Sequence, residues 1–182
     1  MGLKIGLFIF LWLFSASVMA WEEPADFRGQ KWGSSAKELP TFYAGGGMQL
    51  FEFKAKGRTA EVYWVQSVPF GDRFVDLHLT YINDKLGIVE VSFRSHSFDY
   101  IETAFKQKYG KPHSIRNPTV TTAMGAKYLN RELQWHGPTI SIWLERYASD
   151  ITDGKATIGK KVAFKELEEI KQHAAREAAK DL

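Results

Sequence analysis

Three side chains that bind metals or transfer protons fall close together in the middle of the chain. Asp76 and His78 are two residues apart in the alternating run 72–82, so they point to the same side of a strand. Pairing that run with the next one in a hairpin places Glu90 opposite His78. Imidazole nitrogen and carboxylate oxygen are metal ligands and also proton carriers. His96, just past the second run, adds a further candidate ligand.

The same residues have a simpler interpretation as the polar side of a sheet. A cross-strand His–Glu pair contributes about 0.2 to 1 kcal/mol to an ordinary sheet. The chain contains neither a His-Glu-x-x-His motif nor a Gly-x-Ser-x-Gly motif, so no catalytic signature supports chemistry here. The polar sheet is therefore favoured. Metal-dependent or acid–base catalysis by Asp76, His78 and Glu90 is the alternative.

A second group of residues favours binding. Trp143 and Tyr147 point away from the apolar side of their strand, which carries Ile140 and Leu144. Large aromatic residues on both sides of a strand indicate either a sheet covered on both faces or an exposed patch for a partner. Cover by the C-terminal helix is the favoured interpretation. The candidate binding face comprises Asp76, His78, Glu90, Arg94, Trp143 and Tyr147.

The strands that carry the acidic residues and His78 are predicted to form a hairpin. Its register follows from keeping the apolar residues on one side, with Leu79 opposite Val89 and Leu77 opposite Val91. A two-residue loop would turn one strand inside out. The sequence therefore predicts a loop of three or five residues around Asp84.

The strand that carries Trp143 belongs to a second predicted hairpin. Here the apolar residues match if Leu129 lies opposite Leu144 and Leu133 lies opposite Ile140. That register fits a two-residue turn at His136-Gly137. A last segment, Lys155–Val162, alternates only weakly and is predicted to be an edge strand.

Two helices are predicted to support these strands. In residues 97–112 the spacing puts one apolar stripe on the helix, and Gly110 and Pro112 end it. This stripe consists of Phe98, Ile101, Phe105 and Tyr109. In residues 163–182 the stripe changes from bulky residues to alanine, so we expect only the first half of that helix to dock.

Together the elements predict an α+β fold. It is an antiparallel sheet meander in two units, with a central helix packed on one face and a C-terminal helix. The predicted organisation is a signal peptide at 1–20, a single α+β domain at 21–162 and the C-terminal helix at 163–182. The glycine triplet 45–47 is interpreted as a loop, since no Lys-Ser/Thr follows it to bind phosphate.

The first twenty residues have the pattern of a secretory leader. Lys4 precedes the apolar run 5–14, and Val18 and Ala20 are small residues at a cleavage site. We therefore expect a mature chain that is periplasmic or secreted. The sequence contains no cysteine, which excludes disulfides and thiol nucleophiles and predicts no lipid anchor of the bacterial lipoprotein type. A net charge of only +3 makes no electrostatic case for nucleic acid.

Short motifs occur along most of the predicted mature chain. They are Phe27-Arg28-Gly29 with Trp32-Gly33, Lys85-Leu86, Tyr109-Gly110-Lys111-Pro112 and Trp135-His136-Gly137. In these motifs the chain resembles a widespread group of uncharacterised bacterial exported proteins. The helix that ends in Tyr-Gly-x-Pro before a meander is also similar to that of small outer-membrane-assembly lipoproteins and β-lactamase-inhibitor proteins. The resemblance implies a non-catalytic module that binds another protein, and it supplies no catalytic residues.

The leading hypothesis is a non-catalytic periplasmic binding module whose partner is an envelope protein or peptide. It rests on the leader, the α+β pattern, the spare aromatic residues and the missing catalytic motifs. It implies no cofactor, no bound metal and no nucleic acid. The alternative is the small metal-dependent or acid–base enzyme described above. The oligomeric state is left open, including dimerisation through the C-terminal helix.

Overall fold

The computed structural model describes residues 21–39, 48–55 and 57–181. The predicted signal peptide and the glycine triplet lie outside these ranges. The described residues form an α+β fold, a large antiparallel sheet with one central and one C-terminal helix, which confirms the predicted class. None of the described helices is both long enough and apolar enough to cross a membrane.

The elements follow one another with short connections. The strands are β1 (Asp26–Phe27), β2 (Gln30–Lys31), β3 (Met48–Ala55), β4 (Arg58–Phe70), β5 (Arg73–Ile82), β6 (Leu86–Arg94), β7 (Ser114–Arg116), β8 (Thr119–Thr121), β9 (Lys127–Leu129), β10 (Glu132–His136), β11 (Ile140–Glu145) and β12 (Asp153–Lys160). The helices are α1 (Phe98–Tyr109) and α2 (Lys161–Ala178), with 3₁₀ turns at Ala36–Glu38, Ser95–Ser97 and Ala179–Asp181.

Eight strands form the main sheet in the order β3-β4-β5-β6-β12-β11-β10-β7. Strands β3 to β6 make one meander and strands β7, β10, β11 and β12 make the other. We call the face under α1 the inner face and the opposite one the outer face. Strands β1 with β2, and β8 with β9, form two small separate hairpins.

Strand β12 lies in the middle of the sheet, so its prediction as an edge strand was wrong. It pairs with β6 on one side and β11 on the other. Its weak alternation comes from small residues that central packing requires. A Cβ on Gly154 would lie 2.3 Å from the Phe93 ring, and one on Gly159 would lie 2.7 Å from the carbonyl oxygen of Gly87.

Helix α1 lies on the inner face, as predicted. Its buried apolar residues are Phe98, Ile101, Phe105 and Tyr109, which join the core with Leu77, Leu79, Val89, Val91, Ile142 and Leu144. Gly110 ends the helix with a φ of 73°, a conformation that favours glycine. The Trp135 indole N–H donates to the Gly110 carbonyl at 3.0 Å and ties this end to β10.

A buried carboxylate on α1 adds a polar tie to the second meander. Glu102 accepts two hydrogen bonds from Arg131, at 2.8 and 2.9 Å, and one from Lys106. The Arg131 hydrogen bonds are the main reason that the pKa of Glu102 lies below its ordinary value, although burial opposes them. The ionised pair therefore links α1 to the residue just before β10.

The β5–β6 hairpin confirms the predicted register but not the predicted loop. Leu79 lies opposite Val89 and Leu77 opposite Val91. Ile82 and Lys85 exchange backbone hydrogen bonds of 2.9 and 3.1 Å, which leaves a two-residue turn. That turn is Asn83-Asp84, with φ values of 49° and 59° as a type I′ turn requires.

A β-bulge reconciles this short turn with the register. Thr80 pairs with Ile88 but Tyr81 pairs with Leu86, so Gly87 is an extra residue in β6. The main-chain groups of Leu86 then bond to Gly33 and Ser34 of the N-terminal segment, at 2.8 and 2.9 Å. The bulge moves the strand by one residue and keeps both halves of its apolar side on the inner face.

The β10–β11 hairpin differs from the prediction in both pairs and turn. Leu133 lies opposite Leu144, and Trp135 lies opposite Ile142. The turn is the two-residue Pro138-Thr139, since Gly137 donates to the Ile140 carbonyl oxygen at 2.9 Å. Leu129 is absent from this ladder because it pairs with Thr119 in the β8–β9 hairpin.

The N-terminal segment holds that turn in place. The Glu23 carboxylate accepts hydrogen bonds from the Thr139 hydroxyl and from the backbone N–H groups of Thr139 and Ile140. Burial raises the pKa of Glu23, but these hydrogen bonds outweigh it and lower the pKa below its ordinary value. At the other end of the segment, the Ser35 hydroxyl donates to Asp84 at 2.7 Å. Residues 21–39 therefore link the turns of both hairpins.

Helix α2 covers one end of the outer face. Its Ala163 and Ile170 are buried in a second core with Ala55, Ala60, Ile82 and Ile88, and Phe164 and Leu167 pack at its rim. Glu169 forms an ion pair of 3.0 Å with Arg58. The side chains from Ala175 to Lys180 are exposed, whereas the buried residues of α2, Ala163 and Ile170, lie among its first ten residues.

Candidate functional site

The outer face beyond α2 carries most of the candidate binding residues. Strands β5, β6, β12, β11 and β10 present their outward side chains there, and we call this area the open face. Its members are Asp76, His78, Glu90, Arg94, Trp143, Glu145 and Lys155, with Glu132 and Arg116 at the far side. It contains five of the six predicted residues, all except Tyr147.

Asp76 accepts a hydrogen bond from the backbone of the neighbouring strand. It lies opposite Ser92. Its Oδ1 accepts a hydrogen bond of 2.9 Å from the backbone N–H of Ser67. Ser67 has a φ of 53° and lies in an irregularity of β4 between Val65 and Val68. Asp76 therefore satisfies a donor that the irregular strand leaves outside the ladder.

His78 is half-buried between an aromatic ring and charged neighbours. The Trp64 ring stacks on its imidazole at 5.8 Å with an angle of 9° between the planes. Nδ1 is buried and has no hydrogen-bond partner among the described residues. Burial is the main reason that the pKa of His78 is lowered, and Lys155 lowers it further, while Glu90 and Asp76 oppose the shift.

Glu90 lies opposite His78, as predicted, but its closest charged partner is another residue. Lys155 Nζ lies 3.5 Å from Glu90 Oε1 and 3.9 Å from Glu145 Oε1. Burial raises the pKa of Glu145, and so do Glu132 and Glu90, whereas Lys155 lowers it. A lysine shared by two carboxylates thus occupies the centre of the open face.

The metal-site alternative gains no geometric support from the described residues. Within residues 21–39, 48–55 and 57–181, no three His, Asp or Glu side chains are grouped as a metal ion requires. His96 lies in the exposed 3₁₀ turn that follows β6. The strand pairing brings Asp76, His78 and Glu90 to one face, and His96 is not grouped with them.

Trp143 is a large apolar side chain of the open face, with 44% of its surface exposed. It lies in one row with Thr157 and Glu90 across β11, β12 and β6, which is roughly 10 Å of sheet. The Arg116 guanidinium lies 5.9 Å from its ring centre and pairs with Glu132 at 2.8 Å. Cover by the C-terminal helix, favoured from the sequence, reaches the β3–β6 end of this face and leaves Trp143 uncovered.

The last two predicted residues lie at the margin or outside. Arg94 pairs with Asp153 at 2.9 Å beside an open cleft of about 450 Å³, of which Asp76 and Lys155 form part of the wall. Tyr147 follows the end of β11 and contacts the ring of Tyr128 at 5.9 Å. Its backbone is held by Asn130, so Tyr147 belongs to the β8–β9 side of the molecule.

A smaller cleft of about 310 Å³ lies between α2 and the open face. Apolar side chains form most of its lining, among them Phe51, Phe53, Phe164 and Leu167, and His78 and Glu90 form its polar side. Lys171 Nζ lies 5.6 Å from the centre of the Phe53 ring. The cleft is the point at which the covered and uncovered parts of the outer face meet.

Sequence reasoning missed the charged residues at the centre of the open face. Lys155 was assigned to an edge strand, and Glu145 and Glu132 were not considered. Their charges alternate with apolar neighbours in β10, β11 and β12, which was the available signal. That signal is informative only once β12 is known to lie between β6 and β11.

Comparison with known proteins adds no assignment to this geometry. No family model matches the chain, no curated protein matches it, and no solved structure matches it.

Proposed function

We propose that this protein is a non-catalytic binding module whose open face takes a segment of another protein. The observation that carries the proposal is Trp143, which is 44% exposed on a strand that is paired on both sides, whereas its strand neighbours Ile142 and Leu144 are buried. Exposed tryptophan flanked by arginine and charged residues is typical of binding hot spots. The neighbouring polar side chains are already paired with one another, which suits recognition better than catalysis.

The charges of the open face favour a basic partner. Asp76, Glu90, Glu145 and Glu132 supply four carboxylates to the open face, and Arg94, Lys155 and Arg116 supply three cations. Arg94 is already paired with Asp153, so the rest of the face has four carboxylates and two cations. Burial is the main reason that the pKa of Glu145 is raised; Lys155 opposes the shift, and the neighbouring carboxylates Glu132 and Glu90 add to it. A segment with a lysine or arginine beside an apolar side chain would complement both this charge and the Trp143 ring.

The proposal places the module in the bacterial envelope, with an envelope protein or peptide as partner. The support is the leader pattern in residues 1–20 and the resemblance to exported proteins that the motifs carry. In addition, Trp21 packs against the inner core and Glu23 holds the β10–β11 turn, so the residues directly after the predicted cleavage site belong to the fold. Cell fractionation with N-terminal sequencing tests this, and a mature chain that begins at Trp21 in the periplasmic fraction is expected.

An affinity experiment tests the binding surface. The mature wild-type chain, Trp143→Ala and Leu129→Ala are immobilised and exposed to envelope extract. Leu129 is the matched control because it is 69% exposed in the β8–β9 hairpin, away from the open face. We expect a partner that the wild type and Leu129→Ala retain, that Trp143→Ala loses, and that added salt releases. Equal retention by all three chains would overturn the assignment to the open face.

The enzymatic alternative stays a prediction without a specific observation in its favour. Asp76 is committed to Ser67, Glu90 pairs with Lys155, and Nδ1 of His78 has no partner among the described residues. We therefore advance no second function.

A further inference from the structure

Strand β3 is an unusually exposed end of the main sheet. It pairs with β4 over all eight of its residues, and no other described strand pairs with it. Leu50 is 54% exposed and Phe51 is 46% exposed, on opposite faces of the strand. The other end of the sheet is protected by the shortness of β7, which has three residues. A long apolar edge of this kind is a template for pairing with another strand.

The hydrogen bonds between β4 and the β5–β6 turn show which backbone groups of β3 point away from β4. Thr59, which lies opposite Lys54, donates its N–H to Asn83 Oδ1 at 3.0 Å and accepts from Asn83 N at 2.8 Å. The main-chain groups of Thr59 therefore point away from β3, and Thr59–Lys54 is a non-hydrogen-bonded pair. Bonded and non-bonded pairs alternate in an antiparallel ladder. The N–H and C=O groups of Met48, Leu50, Glu52 and Lys54 consequently point outward from the edge.

From this edge we infer that two copies of the chain pair through β3, antiparallel, about a twofold axis at Phe51. Such an axis is perpendicular to the sheet and pairs each residue with the one equally far on its other side. Leu50 then lies opposite the partner's Glu52, and Met48 opposite the partner's Lys54. All four outward-facing residues are used on each copy, which gives about eight main-chain hydrogen bonds.

Two other registers, centred on Glu52 and on Phe53, are less favourable. An axis at Glu52 would place two carboxylates directly opposite each other, which is unfavourable. An axis at Phe53 would use only Glu52 and Lys54 of the outward residues in the described strand. It would also bring together the two Lys171 side chains, since each lies 5.6 Å from its own Phe53 ring. At Phe51 the two phenyl rings meet instead, and each Glu52 keeps its own Lys54 at 2.8 Å as counter-ion.

The proposed dimer lies away from Trp143. Trp143 is on β11, five strands from β3 in the sheet, so pairing at the edge leaves this side chain free. Joining two edges produces one continuous sheet with both open faces on the same side. One strand pair is a small interface, so we expect a reversible dimer that forms as the protein concentration rises. Purified protein alone is sufficient to test it, which separates its failure from failure of the proposed function.

Cysteine substitution in this cysteine-free chain tests the register directly. Phe51→Cys places its two thiols in a non-hydrogen-bonded pair on the axis, with Cα atoms about 4.5 Å apart, within disulfide range. Mild oxidation should link Phe51→Cys into a dimer, whereas Gln49→Cys, Phe53→Cys and Ile115→Cys should stay monomeric on a non-reducing gel. Ile115 is the matched control, since it is 45% exposed on β7 at the opposite edge. Equal linking of all four variants, or linking at Phe53 alone, would overturn the proposal.

Sedimentation of the unlinked protein gives the second measurement. The wild-type mass should rise from one chain towards two with concentration. Leu50→Glu should remain at one chain, because it places a carboxylate opposite the partner's Glu52, and Ile115→Glu should behave like the wild type. Circular dichroism of each variant checks that it is folded. A wild type that stays monomeric at every concentration, or an Ile115→Glu that also loses the dimer, would refute pairing through β3.

Discussion

At the scale of single residues, the polar side chains of the open face contribute more to folding than their types suggest. Asp76 accepts the Ser67 N–H, and Glu90 and Glu145 share Lys155. His78 differs from these, because it lies against the Trp64 ring and its buried Nδ1 has no partner among the described residues. Its protonation should therefore be unfavourable in the folded chain.

This environment predicts a pH-dependent loss of stability. Burial lowers the pKa of His78 in the folded chain below the ordinary value of 6.5, which the unfolded chain keeps. Below about pH 6.5 the unfolded chain binds a proton at this position and the folded chain does not. The free energy of unfolding therefore decreases as the pH is lowered from about 6.5 towards the pKa of His78 in the folded chain. Substitution His78→Phe keeps a ring against Trp64 and should remove this part of the pH dependence, as urea unfolding at several pH values can measure.

His96→Phe is the control for that measurement, because His96 lies in an exposed turn. Its stability profile between about pH 7.5 and pH 5.5 should keep the wild-type slope. If wild type and His78→Phe lose stability in parallel over that interval, the buried position of His78 does not control the titration.

At the scale of elements, small residues decide how closely strands and helices approach. The extra residue Gly87 corrects the register of β5 and β6 after a two-residue turn. A Cβ at Gly87 would lie 2.6 Å from Cβ of Ala163, so glycine also allows α2 to approach the sheet. Gly159 of β12 lies beside Gly87 of β6. This pair of glycines permits β12 to pass through the centre of the sheet beneath the start of α2.

The substitution Gly159→Ala should therefore destabilise the fold through steric overlap alone. Its new Cβ would lie 2.7 Å from the Gly87 carbonyl oxygen and 3.0 Å from Ile88 Cα, and backbone atoms can relieve this only by moving the strand. A loss of about 1 to 3 kcal/mol in the free energy of unfolding is expected from chemical denaturation. Thr157→Ala on the same strand is the control and should cost less than about 1 kcal/mol. Equal losses would contradict central packing of β12.

At the scale of the whole molecule, the two faces of the sheet are covered unequally. Helix α1 and the N-terminal segment cover the inner face, whereas α2 covers only the β3–β6 end of the outer face. The buried residues of α2 are Ala163 and Ile170, and Ile170 is fully buried. The division leaves Trp143 exposed and creates the surface on which the proposed function depends.

A substitution in the buried part of α2 should therefore reduce the free energy of unfolding much more than deletion of its exposed end. Ile170→Ala leaves a cavity in the outer core and is expected to lower the free energy of unfolding by about 2 to 5 kcal/mol. The side chains of residues 175–180 are exposed, so deleting residues 175–182 should change it by less than about 1 kcal/mol. Thermal and urea unfolding of both variants provide the measurement. A deletion as damaging as Ile170→Ala would show that the end of the helix is also docked.

Much of the fold was predictable from local patterns. The stripe from Phe98 to Tyr109 identified α1 and its buried side, and Gly110 identified its end. Alternation in β5 and β6 placed His78 opposite Glu90, because a strand that must bury one side tolerates few registers. The sequence also located most of the candidate site, since Asp76, His78, Glu90, Arg94 and Trp143 were all assigned to outward positions.

What only the tertiary structure decided was which strands became neighbours and which surfaces stayed uncovered. Strand order depends on contacts between distant segments. The glycines that weaken the apolar–polar alternation of β12 in the sequence are the residues that allow its two neighbouring strands to approach it. The short Asn83-Asp84 turn was compatible with the register only through a bulge whose free groups bond to Gly33 and Ser34. For the same reason Lys155 joined the open face and Trp143 stayed exposed, because the position of β12 and the reach of α2 are properties of the assembled sheet.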